Sequence, residues 1–551
     1  MTEITRAETW DALRAAHRWQ IPDRYNLAWD MCGKWAQAEP DRLALIHVTD
    51  QVHDYTYDDL WRLSAQLANV LAAHGIKRED RIGLLLPQRP ETVLTHLAAY
   101  RLGAVIVPLF VQFGADGLAF RLSDSGARAI VTDRANLPKV AQIRDRLGEL
   151  AHVFSADGAA DGALDLPTLM QAAQDQAPVA DTLAEDPSFL SYTSGTTGPP
   201  KGALHAQRVL LGHIPGVQTF YDFWPQEGDR IWTPSDWAWL GGLGNVMMPA
   251  LRMGVPLIAH APARFNPDAA LDLMRRQRVT SSFLAPTALK LMRQATVPDG
   301  LALRAVGSGG ESLGAAMLEW GRGALGLTIN EFYGQTECNL VLGNNWRLFD
   351  PKPGSMGRAL PGSHVAVLDG TQRLGPDQTG EIAIRTGDPA MFLRYWKQPE
   401  TTAQKYVTAS DGEVYMMTGD EGRYDGEGCF FFASRTDDVI TSSGYRIGPS
   451  EIEDCLNRHP AVAMSACIGV PDPVRTESVK AFVVRAAGKG GNEGDADALA
   501  AALIAHVRTR LGPHVAPREI AWIDALPMTA TGKIKRRDLR LVSGDGASHD
   551  A

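Results

Sequence analysis

A glycine- and hydroxyl-rich stretch is the part of this 551-residue sequence best suited to chemistry. It runs from Leu190 to His205 and reads LSYTSGTTGPPKGALH. The backbone N–H groups of such small residues can wrap closely around phosphate oxygens, while Lys201 supplies a positive charge. A Walker A loop is excluded because Gly202, and not Ser or Thr, follows Lys201. The stretch predicts a phosphate-binding loop, with a flexible surface linker as the alternative.

Two further stretches offer polar side chains that a nucleotide could use. EFYGQTE, at 331–337, ends a predicted strand with Thr336 beside Glu337, a hydroxyl and a carboxylate suited to a phosphate and its Mg²⁺. MTGDEGRYDGEG, at 417–428, contains Asp420, whose carboxylate could accept hydrogen bonds from two ribose hydroxyls. Taken alone, Asp420 is more often a plain turn residue.

Composition limits the classes of partner. A formal net charge of −10 gives no general basic field, so we expect neither a nucleic acid partner nor an anionic membrane partner. The longest apolar region, 245–261, is interrupted by Arg252 and two prolines, and we expect no membrane span and no signal peptide. The cysteines form no C-x-x-C pair, which favours reduced thiols and a cytoplasmic location. They are Cys32, Cys338, Cys429, Cys455 and Cys467.

Alternating apolar runs and amphipathic segments predict an α/β fold. DRIGLLLP, PETVLTHLAAYRLG and AVIVPL read as strand, helix and strand of a parallel βαβ unit. RAIVTD, SSFLAP, LRAVGSGGE and LTINEFYG are further short strands that end in turn residues. We therefore expect a large N-terminal region over 1–434, with several mainly parallel sheets.

The sequence after 434 predicts a second, smaller α+β domain over 441–540. Ser450 and Glu453 have the spacing of a capping box at a helix start. VAMSACIGV and SVKAFVV read as strands, and a helical stripe follows. We expect a flexible loop over 486–497 and a disordered tail over 541–551. The stripe consists of Leu499, Leu503, Val507 and Leu511, and is stopped by Gly512-Pro513.

Five motifs, in this order along most of the chain, resemble the AMP-forming adenylating superfamily of acyl-CoA synthetases, luciferases and peptide-synthetase adenylation domains. They are TSGTTGPPKG, YGQTE, TGD, SRTDDVITSSGYRIGPSEIE and PMTATGKIKRRDLR. The stretch from Ser442 to Val484 is most similar to medium-chain acyl-CoA synthetases. The resemblance implies an acid–thiol ligase that uses ATP with Mg²⁺ to make an acyl-adenylate, which CoA then cleaves.

The resemblance also implies a nucleotide site. Phosphates would bind at the Gly-rich loop and Thr336, with Mg²⁺ at Glu337, while Asp420 and Arg435 would hold the ribose. The loop residues are Thr193, Ser194, Gly195, Thr196, Thr197, Gly198 and Lys201. The residues expected around the adenine and the rest of the nucleotide are Gly309, Gly310, Glu311, Glu331, Phe332, Tyr333, Gly334 and Gln335.

Lys533 has a separate implied role on the mobile small domain. It would bridge the attacking carboxylate and the α-phosphate, then leave when the domain rotates about Asp437, in a hinge over 435–440. Without the resemblance, KIKRR would be an ordinary exposed basic segment. The P-x₄-G-K pattern ending at Lys533 resembles sites of regulatory acetylation, which makes a lysine acetyltransferase and a deacetylase expected partners. The residues expected to meet CoA are Ser443, Gly444, Tyr445, Arg446 and Arg475.

The expected acyl pocket combines Trp237, Trp239, Gly241 and Gly334. Acetyl-CoA synthetases have Trp where this chain has Gly334, so we expect glycine to leave the acyl space open. Amino-acid-activating relatives carry an Asp for the substrate ammonium near the position that aligns with Gly241. This chain lacks that Asp, which argues against an amino acid substrate. We expect a short-to-medium straight, branched or thioether-containing acid, because apolar pockets discriminate by only about 1 to 3 kcal/mol per methylene.

Other interpretations remain open at this point. The chain could load an acyl group onto a carrier protein instead of CoA, or oxidise an adenylate as luciferases do. It could also bind nucleotide without catalysis, although a pure binder has no need of Lys533. A homodimer is left open.

Overall fold

The computed structural model describes residues 3–193, 200–262, 264–435, 438, 440–442, 445–472, 475–486, 493–511, 515–529 and 533–543. The strands are, in chain order, β1 Leu43–Val48, β2 Val52–Thr56, β3 Arg81–Leu85, β4 Val105–Pro108, β5 Ala127–Thr132, β6 His152–Ser155, β7 Leu164–Asp165, β8 Pro187–Thr193, β9 Lys201–Ala206, β10 Ile231–Trp232, β11 Leu257–Ala259, β12 Ser281–Phe283, β13 Ala305–Gly309, β14 Asn330–Gln335, β15 Asn339–Gly343, β16 Ser355–Ala359, β17 Val365–Asp369, β18 Gln372–Arg373, β19 Gly380–Arg385, β20 Arg394–Tyr395, β21 Tyr406–Thr408, β22 Val414–Tyr424, β23 Phe430–Arg435, β24 Ile440–Ser442, β25 Tyr445–Ile447, β26 Val462–Asp472, β27 Thr476–Arg485 and β28 Glu519–Trp522.

The α-helices are α1 Trp10–Ala16, α2 Lys34–Ala38, α3 Tyr57–Ala73, α4 Pro90–Leu102, α5 Ala115–Ser125, α6 Leu137–Ile143, α7 Leu166–Ala172, α8 Val209–Phe220, α9 Leu240–Gly242, α10 Met248–Met253, α11 Pro267–Arg276, α12 Pro286–Met292, α13 Ala315–Trp320, α14 Pro399–Ala403, α15 Pro449–Asn457, α16 Glu493–Arg510 and α17 Arg536–Val542. Helical turns of the π type cover Trp29–Gly33, Leu243–Met247 and Gly321–Leu325, and a 3₁₀ turn covers Arg144–Arg146.

One sheet is built around the predicted βαβ unit and has the order β20-β9-β8-β4-β3-β5-β6-β7. The strands from β8 to β7 run parallel, as expected from their continuous apolar sequences. β9 and β20 add antiparallel at the other edge. The β8–β9 hairpin therefore holds the ends of the Gly-rich loop at the rim of this sheet.

A second, larger sheet joins a parallel part to an antiparallel part. β1, β11, β10, β12, β13 and β14 are parallel, and β15, β16, β23, β22, β19 and β17 continue the sheet antiparallel. A common core joins both sheets through α3, α4 and α8, and α4 is buried over most of its length. Because carboxyl ends of neighbouring parallel strands meet at one edge, the segments after β13 and β14 lie side by side.

A third sheet, of order β25-β24-β27-β26 with β28 parallel to β27, forms the C-terminal region with its own apolar core. The predicted helical stripe is confirmed: Leu503 and Val507 are buried there, and Leu499 and Leu511 pack against it. The fold class expected from the sequence is thus confirmed, whereas the domain boundaries at 434/435 and 440/441 stay predictions.

Two local predictions in this region are wrong. The helix α15 starts at Pro449 with Gly448 as its N-cap, so Ser450 lies inside the helix and forms no capping box. The carboxylate of Glu453 accepts instead from Cys467 N and from Arg536. The expected loop over 486–497 is also too long, because α16 already begins at Glu493.

Across the described residues, no helix is both long and apolar enough to cross a membrane.

Candidate active site

The β8–β9 hairpin positions the two ends of the expected phosphate loop. Thr193 pairs with Lys201 across the strands, and the Thr193 hydroxyl donates to Lys201 O at 3.3 Å. The Lys201 ammonium lies 5.6 Å from the ring centroid of Tyr395, which sits on β20 next to β9. Some expected loop residues lie outside the described residues: Ser194, Gly195, Thr196, Thr197 and Gly198.

Glu337, expected at Mg²⁺, lies close to that hairpin. Its Oε1 accepts a 2.6 Å hydrogen bond from the Tyr395 hydroxyl, and its backbone carbonyl accepts from Phe392 N at 2.8 Å. Tyr395 therefore links Lys201 to Glu337, residues from different sheets. No group of three or more His, Cys, Asp or Glu in the described part of the chain could hold a metal by itself. One carboxylate beside a phosphate loop fits Mg²⁺ that arrives with a nucleotide, because this ion keeps phosphate and water ligands.

Thr336 rests on a buried aromatic pair. Its backbone contacts the His205 ring, which stacks on Phe189 with 4.5 Å between ring centroids. Burial lowers the pKa of His205 to about 3, so the ring is neutral under Thr336. The His205 ring therefore supports Thr336 by packing and adds no charge of its own beside the expected phosphate site.

Asp420 accepts hydrogen bonds from two side chains of the YGQTE segment. The Tyr333 hydroxyl donates to Oδ2 at 2.6 Å, and the Gln335 amide donates to the same oxygen. Asp420 also pairs with Arg435 across β22 and β23. The two residues expected at the ribose are thus register partners, although the side chain of Arg435 lies outside the described part of the structure.

The segment after β13 borders the same place. Gly310 has a φ of +94° and faces open space, whereas a Cβ at Gly309 would lie 2.6 Å from the Phe332 ring. Phe332 packs on Phe220 and Phe283, with ring centroids 4.5 and 5.6 Å away. The Phe332 side chain therefore belongs to the core, and the place of this residue beside the nucleotide stays a prediction.

Glu331 is an acid with a strongly altered environment. Burial raises its pKa to about 8, although Leu313 N donates to it at 3.2 Å. The nearby Asp454, on α15, adds to the rise. At neutral pH the Glu331 carboxyl is largely neutral.

Lys533 sits at a small hairpin that the Thr529 side chain and backbone close. Lys533 N donates to Thr529 Oγ1 at 3.0 Å, and Thr529 N donates to Lys533 O at 2.7 Å. Burial raises the pKa of Glu311, and the charges of Lys290 and Lys533 act in the opposite direction.

The two regions touch at α15. Ser312 Oγ donates to Asp454 Oδ2 at 3.4 Å, a long hydrogen bond. Burial raises the pKa of Asp454 to about 6, and the neighbouring Glu453 adds to the rise. The contact brings carboxyl groups of both regions together.

The expected acyl wall is more crowded than the sequence suggested. Trp237 is a core residue, while Trp239 packs edge-on with Phe113. A Cβ on Gly241 would lie 2.6 Å from the Phe283 ring, so this ring fills the space beside the glycine. A Cβ on Gly334 would lie 1.5 Å from a backbone oxygen, Asn339 O, so glycine is required there by the β14–β15 hairpin and not by an open pocket.

The segment that contains Trp237 and Trp239 also contains an acid, Asp236. Asp236 precedes Trp237, and its Oδ1 accepts from Ala238 N at 2.7 Å. Burial raises the pKa of Asp236 to about 7. Below that pH the Asp236 carboxyl is mostly protonated and uncharged.

Most residues expected at CoA lie outside the described part of the chain. Arg475 is described and half-buried, and its backbone N–H donates to Asp472 Oδ1 at 2.9 Å. The predictions for the remaining positions stay predictions: residues Ser443 and Gly444, the side chains of Tyr445 and Arg446, and the hinge residue Asp437.

Sequence interpretation missed Tyr395 and Phe283. Both are aromatic residues in ordinary strand contexts, and no local motif distinguishes them from core residues. Tyr395 reaches Glu337 because β20 pairs with β9, and Phe283 reaches Gly241 because β12 ends beside α9. Only the three-dimensional arrangement brings these residues to the site.

Comparisons with known proteins agree with this arrangement. Residues 32–396 match AMP-binding enzymes, and residues 451–533 match the AMP-binding enzyme C-terminal domain. The chain belongs to the AMP-binding enzyme family. The first of these matches spans well over half of the chain, and it contains the Gly-rich hairpin, Glu337 and Tyr395.

Several proteins similar to this AMP-binding family member are named as acyl-coenzyme A synthetases or CoA ligases. The mitochondrial acyl-coenzyme A synthetase ACSM4 of Rattus norvegicus is 35% identical, over 97% of this chain and 93% of its own. The crystal structure of the anthranilate CoA ligase AuaEII in complex with anthranoyl-AMP has a TM-score of 0.86 at 26% identity, covering 95% of this chain and 98% of its own. ATP-bound MatB from Rhodopseudomonas palustris has a TM-score of 0.83 at 27% identity, covering 94% and 99%.

These findings confirm the superfamily and the enzyme class expected from the sequence. The enzyme class is an acid–thiol ligase, the AMP-forming acyl-CoA synthetases.

Proposed function

We propose that this enzyme converts a short-to-medium-chain, branched or thioether carboxylic acid to its CoA thioester through an acyl-adenylate. The observation that carries the proposal is that Lys201 from one sheet and Glu337 from the other meet at the Tyr395 side chain, while Asp420 is hydrogen-bonded to the strand that leads to Glu337. Each of these residue types has a distinct use in joining a carboxylate to ATP.

The first half-reaction must bring two anions together. The acid's carboxylate oxygen attacks the α-phosphorus, and pyrophosphate leaves with the electron pair of the broken P–O bond. Lys201 would neutralise charge on the leaving phosphates, and Lys533 would bridge the carboxylate and the α-phosphate. Both charges favour the transition state most, where the anions are closest.

ATP would arrive with Mg²⁺ at Glu337. When bound, the ion would offset phosphate charge, while the Tyr395 hydroxyl holds the Glu337 carboxylate in one orientation. Asp420 would accept hydrogen bonds from the ribose hydroxyls. Its own partners, Tyr333 and Gln335, fix the direction of its carboxylate.

In the second half-reaction the CoA thiolate attacks the acyl carbonyl and AMP leaves. Lys533 would block that approach, which supports rotation of the small domain between the steps. The hydrogen bond from Ser312 to Asp454 is long, and Asp454 lies near the acidic Glu331, so this contact holds the two regions together only weakly.

The aromatic side chains near the expected acyl wall support an apolar acyl group of limited length. Trp239 contacts Phe110 and Phe113, and the ring of Phe283 fills the space at Gly241. An apolar wall of this kind separates acids by only about 1 to 3 kcal/mol per methylene, so several acids should react.

A panel of acids tests the proposal. Straight acids of 2 to about 12 carbons, with branched, aromatic and methylthio acids, are supplied with MgATP and CoA, and AMP, pyrophosphate and thioester are quantified. We expect AMP, pyrophosphate and thioester in equal amounts, with the highest yield for an acid of about 4 to 10 carbons. ADP formation, or no product with any acid, would refute the function. Faster transfer to a phosphopantetheinylated carrier protein than to CoA would establish the carrier-loading alternative.

A further inference from the structure

A buried ionic pair joins the C-terminal helix to α15. Arg536 Nη2 donates to both carboxylate oxygens of Glu453, at 2.7 and 2.8 Å. Arg536 Nε donates to Cys467 O at 3.2 Å, and Cys467 N donates to Glu453 Oε1 at 2.7 Å. Hydrogen bonds therefore join the pair to both backbone groups of Cys467, a buried residue in the edge strand β26.

A second acid extends the pair toward the predicted hinge. Asp438 accepts from Arg536 Nη1 at 3.5 Å and from Arg540 Nη2 at 3.0 Å. It directly follows Asp437, the expected pivot. The side chains of Arg536, Glu453 and Asp438 are only 16%, 11% and 14% exposed, so water screens this network little.

On its other side the network adjoins Lys533, three residues before Arg536. Thr529 closes the hairpin around Lys533, and Lys535 N donates to Pro527 O at 2.9 Å. Both ends of the segment from Lys533 to Arg536 are thereby held. Lys533 and Arg536 thus belong to one short segment that is fixed at both ends.

Such a network is poorly explained by stability alone. A buried ion pair often contributes no more to stability than apolar residues of the same size, because both charges lose their hydration. A two-bond contact from the planar guanidinium does fix direction, which a Lys or an apolar side chain does not do. Directional fixing is useful next to a lysine that must reach one point.

We propose that Arg536 is a positioning residue. It fixes the segment of Lys533 to Glu453 and to Asp438 beside the hinge, so that this segment and the small domain rotate as one rigid unit. The proposal rests on the function proposed above for Lys533. It predicts that loss of Arg536 impairs the step that uses Lys533 and spares the step that does not.

Arg536→Met tests this, with the exposed neighbour Arg537→Met as the matched control. Adenylation is followed by ATP–pyrophosphate exchange, using the straight-chain acid of highest turnover in the panel. Thioester formation is followed separately from CoA and the synthetic adenylate of that acid. Arg536→Met should lower kcat of exchange by about 10²-fold with little change in KM for ATP, since the loss falls in the transition state. Thioester formation should stay within about threefold of the unmodified enzyme, and Arg537→Met should change neither rate.

A second variant separates positioning from folding. In Glu453→Gln/Arg536→Met no charge is left unpaired at this pair, and the amide oxygen can still accept from Cys467 N. Its thermal unfolding midpoint should lie near that of the unmodified enzyme, with the same selective loss of exchange. Equal loss of both half-reactions, or exchange within threefold of normal in the folded double variant, would overturn the proposal. If Lys533→Ala leaves exchange intact, the proposed function of Lys533 is wrong. This result distinguishes failure of that function from failure of the positioning role of Arg536.

Discussion

The Tyr395 hydroxyl donates a 2.6 Å hydrogen bond to Glu337 Oε1 and so connects residues 58 positions apart in the chain. The same ring lies 5.6 Å from the Lys201 ammonium. One phenol thus holds the orientation of the expected metal-binding carboxylate and borders the expected phosphate loop. It makes the two parts of the phosphate site interdependent.

Tyr395→Phe tests that dependence. Without the hydroxyl, Glu337 can turn away, and the Mg²⁺ concentration needed for half-maximal adenylation should rise about 10- to 100-fold. The measurement is ATP–pyrophosphate exchange against free Mg²⁺. Tyr406→Phe is the control, because its hydroxyl lies 3.9 Å from the thioether sulfur of Met391. An unchanged Mg²⁺ requirement in Tyr395→Phe would contradict the assignment.

Lys533→Ala should abolish adenylation and leave thioester formation from supplied acyl-adenylate largely intact. In the proposed function, the lysine ammonium acts only while the carboxylate and the α-phosphate meet. Lys535→Ala, an exposed neighbour, is the control. Acetylation of Lys533 should have the same selective effect, which quantitative mass spectrometry with half-reaction assays can follow. Equal loss of both half-reactions in Lys533→Ala would rule out the division of labour.

Asp420→Asn should weaken recognition of the ribose. An amide accepts hydrogen bonds less strongly than a carboxylate, so KM for ATP should rise about 10- to 100-fold. Selectivity for ATP over 2′-deoxy-ATP and 3′-deoxy-ATP should fall, because the lost contacts are those that the deoxynucleotides lack. Asp369→Asn, an exposed carboxylate at the end of β17, is the control. If Asp420→Asn keeps the full selectivity for ATP over the deoxynucleotides, the ribose does not bind at Asp420.

Phe283→Leu should widen the range of acids. The Phe283 ring fills the position where a Gly241 side chain would lie, so a smaller residue leaves room there. The ratio of kcat/KM for octanoate to that for butyrate should rise about tenfold. The same change at Phe154, a core residue on β6, controls for lost packing and should leave the ratio unchanged. A ratio unaffected by Phe283→Leu would separate this ring from the acyl group.

Glu331→Gln should stabilise the protein increasingly as pH rises. The carboxyl of Glu331 has its pKa raised from 4.5 to about 8 by burial, so the folded protein keeps a proton that the unfolded chain releases. Between these pH values the unmodified protein therefore loses stability as pH rises, by up to about 1.4 kcal/mol per pH unit. Thermal unfolding from pH 5.5 to about 8.5 should show a growing advantage of the variant. The exposed Glu319→Gln should show none, and a constant difference for Glu331→Gln would mean that the buried group stays ionised.

Much of the site could be predicted from sequence because it lies in local segments with strong signals. Glycines, hydroxyls and a lysine mark the hairpin ends, and a short buried strand ends before Thr336 and Glu337. The parallel strands β13 and β14 then bring their following segments to one edge. Geometry that is fixed by neighbouring strands follows from the pattern alone.

The parts that could not be predicted depend on contacts between distant segments. Arg536 and Glu453 are 83 positions apart, and Glu453 was assigned to a helix cap from its spacing to Ser450. Spacing alone could not show that a buried arginine would compete for that carboxylate. In the same way, a glycine in a sequence does not reveal whether space, an aromatic ring or backbone lies beside it, as Gly241 and Gly334 demonstrate.

The close approach of the Asn339 carbonyl to Gly334 has a consequence for redesign. Asn339 holds a left-handed backbone with a φ of +54°, and its carbonyl occupies the direction in which a residue-334 side chain would leave the chain. Introducing tryptophan there to impose acetate selectivity would first require rebuilding the β14–β15 turn. An engineer who wants a shorter or longer acid range will find a more independent control point in the ring of Phe283.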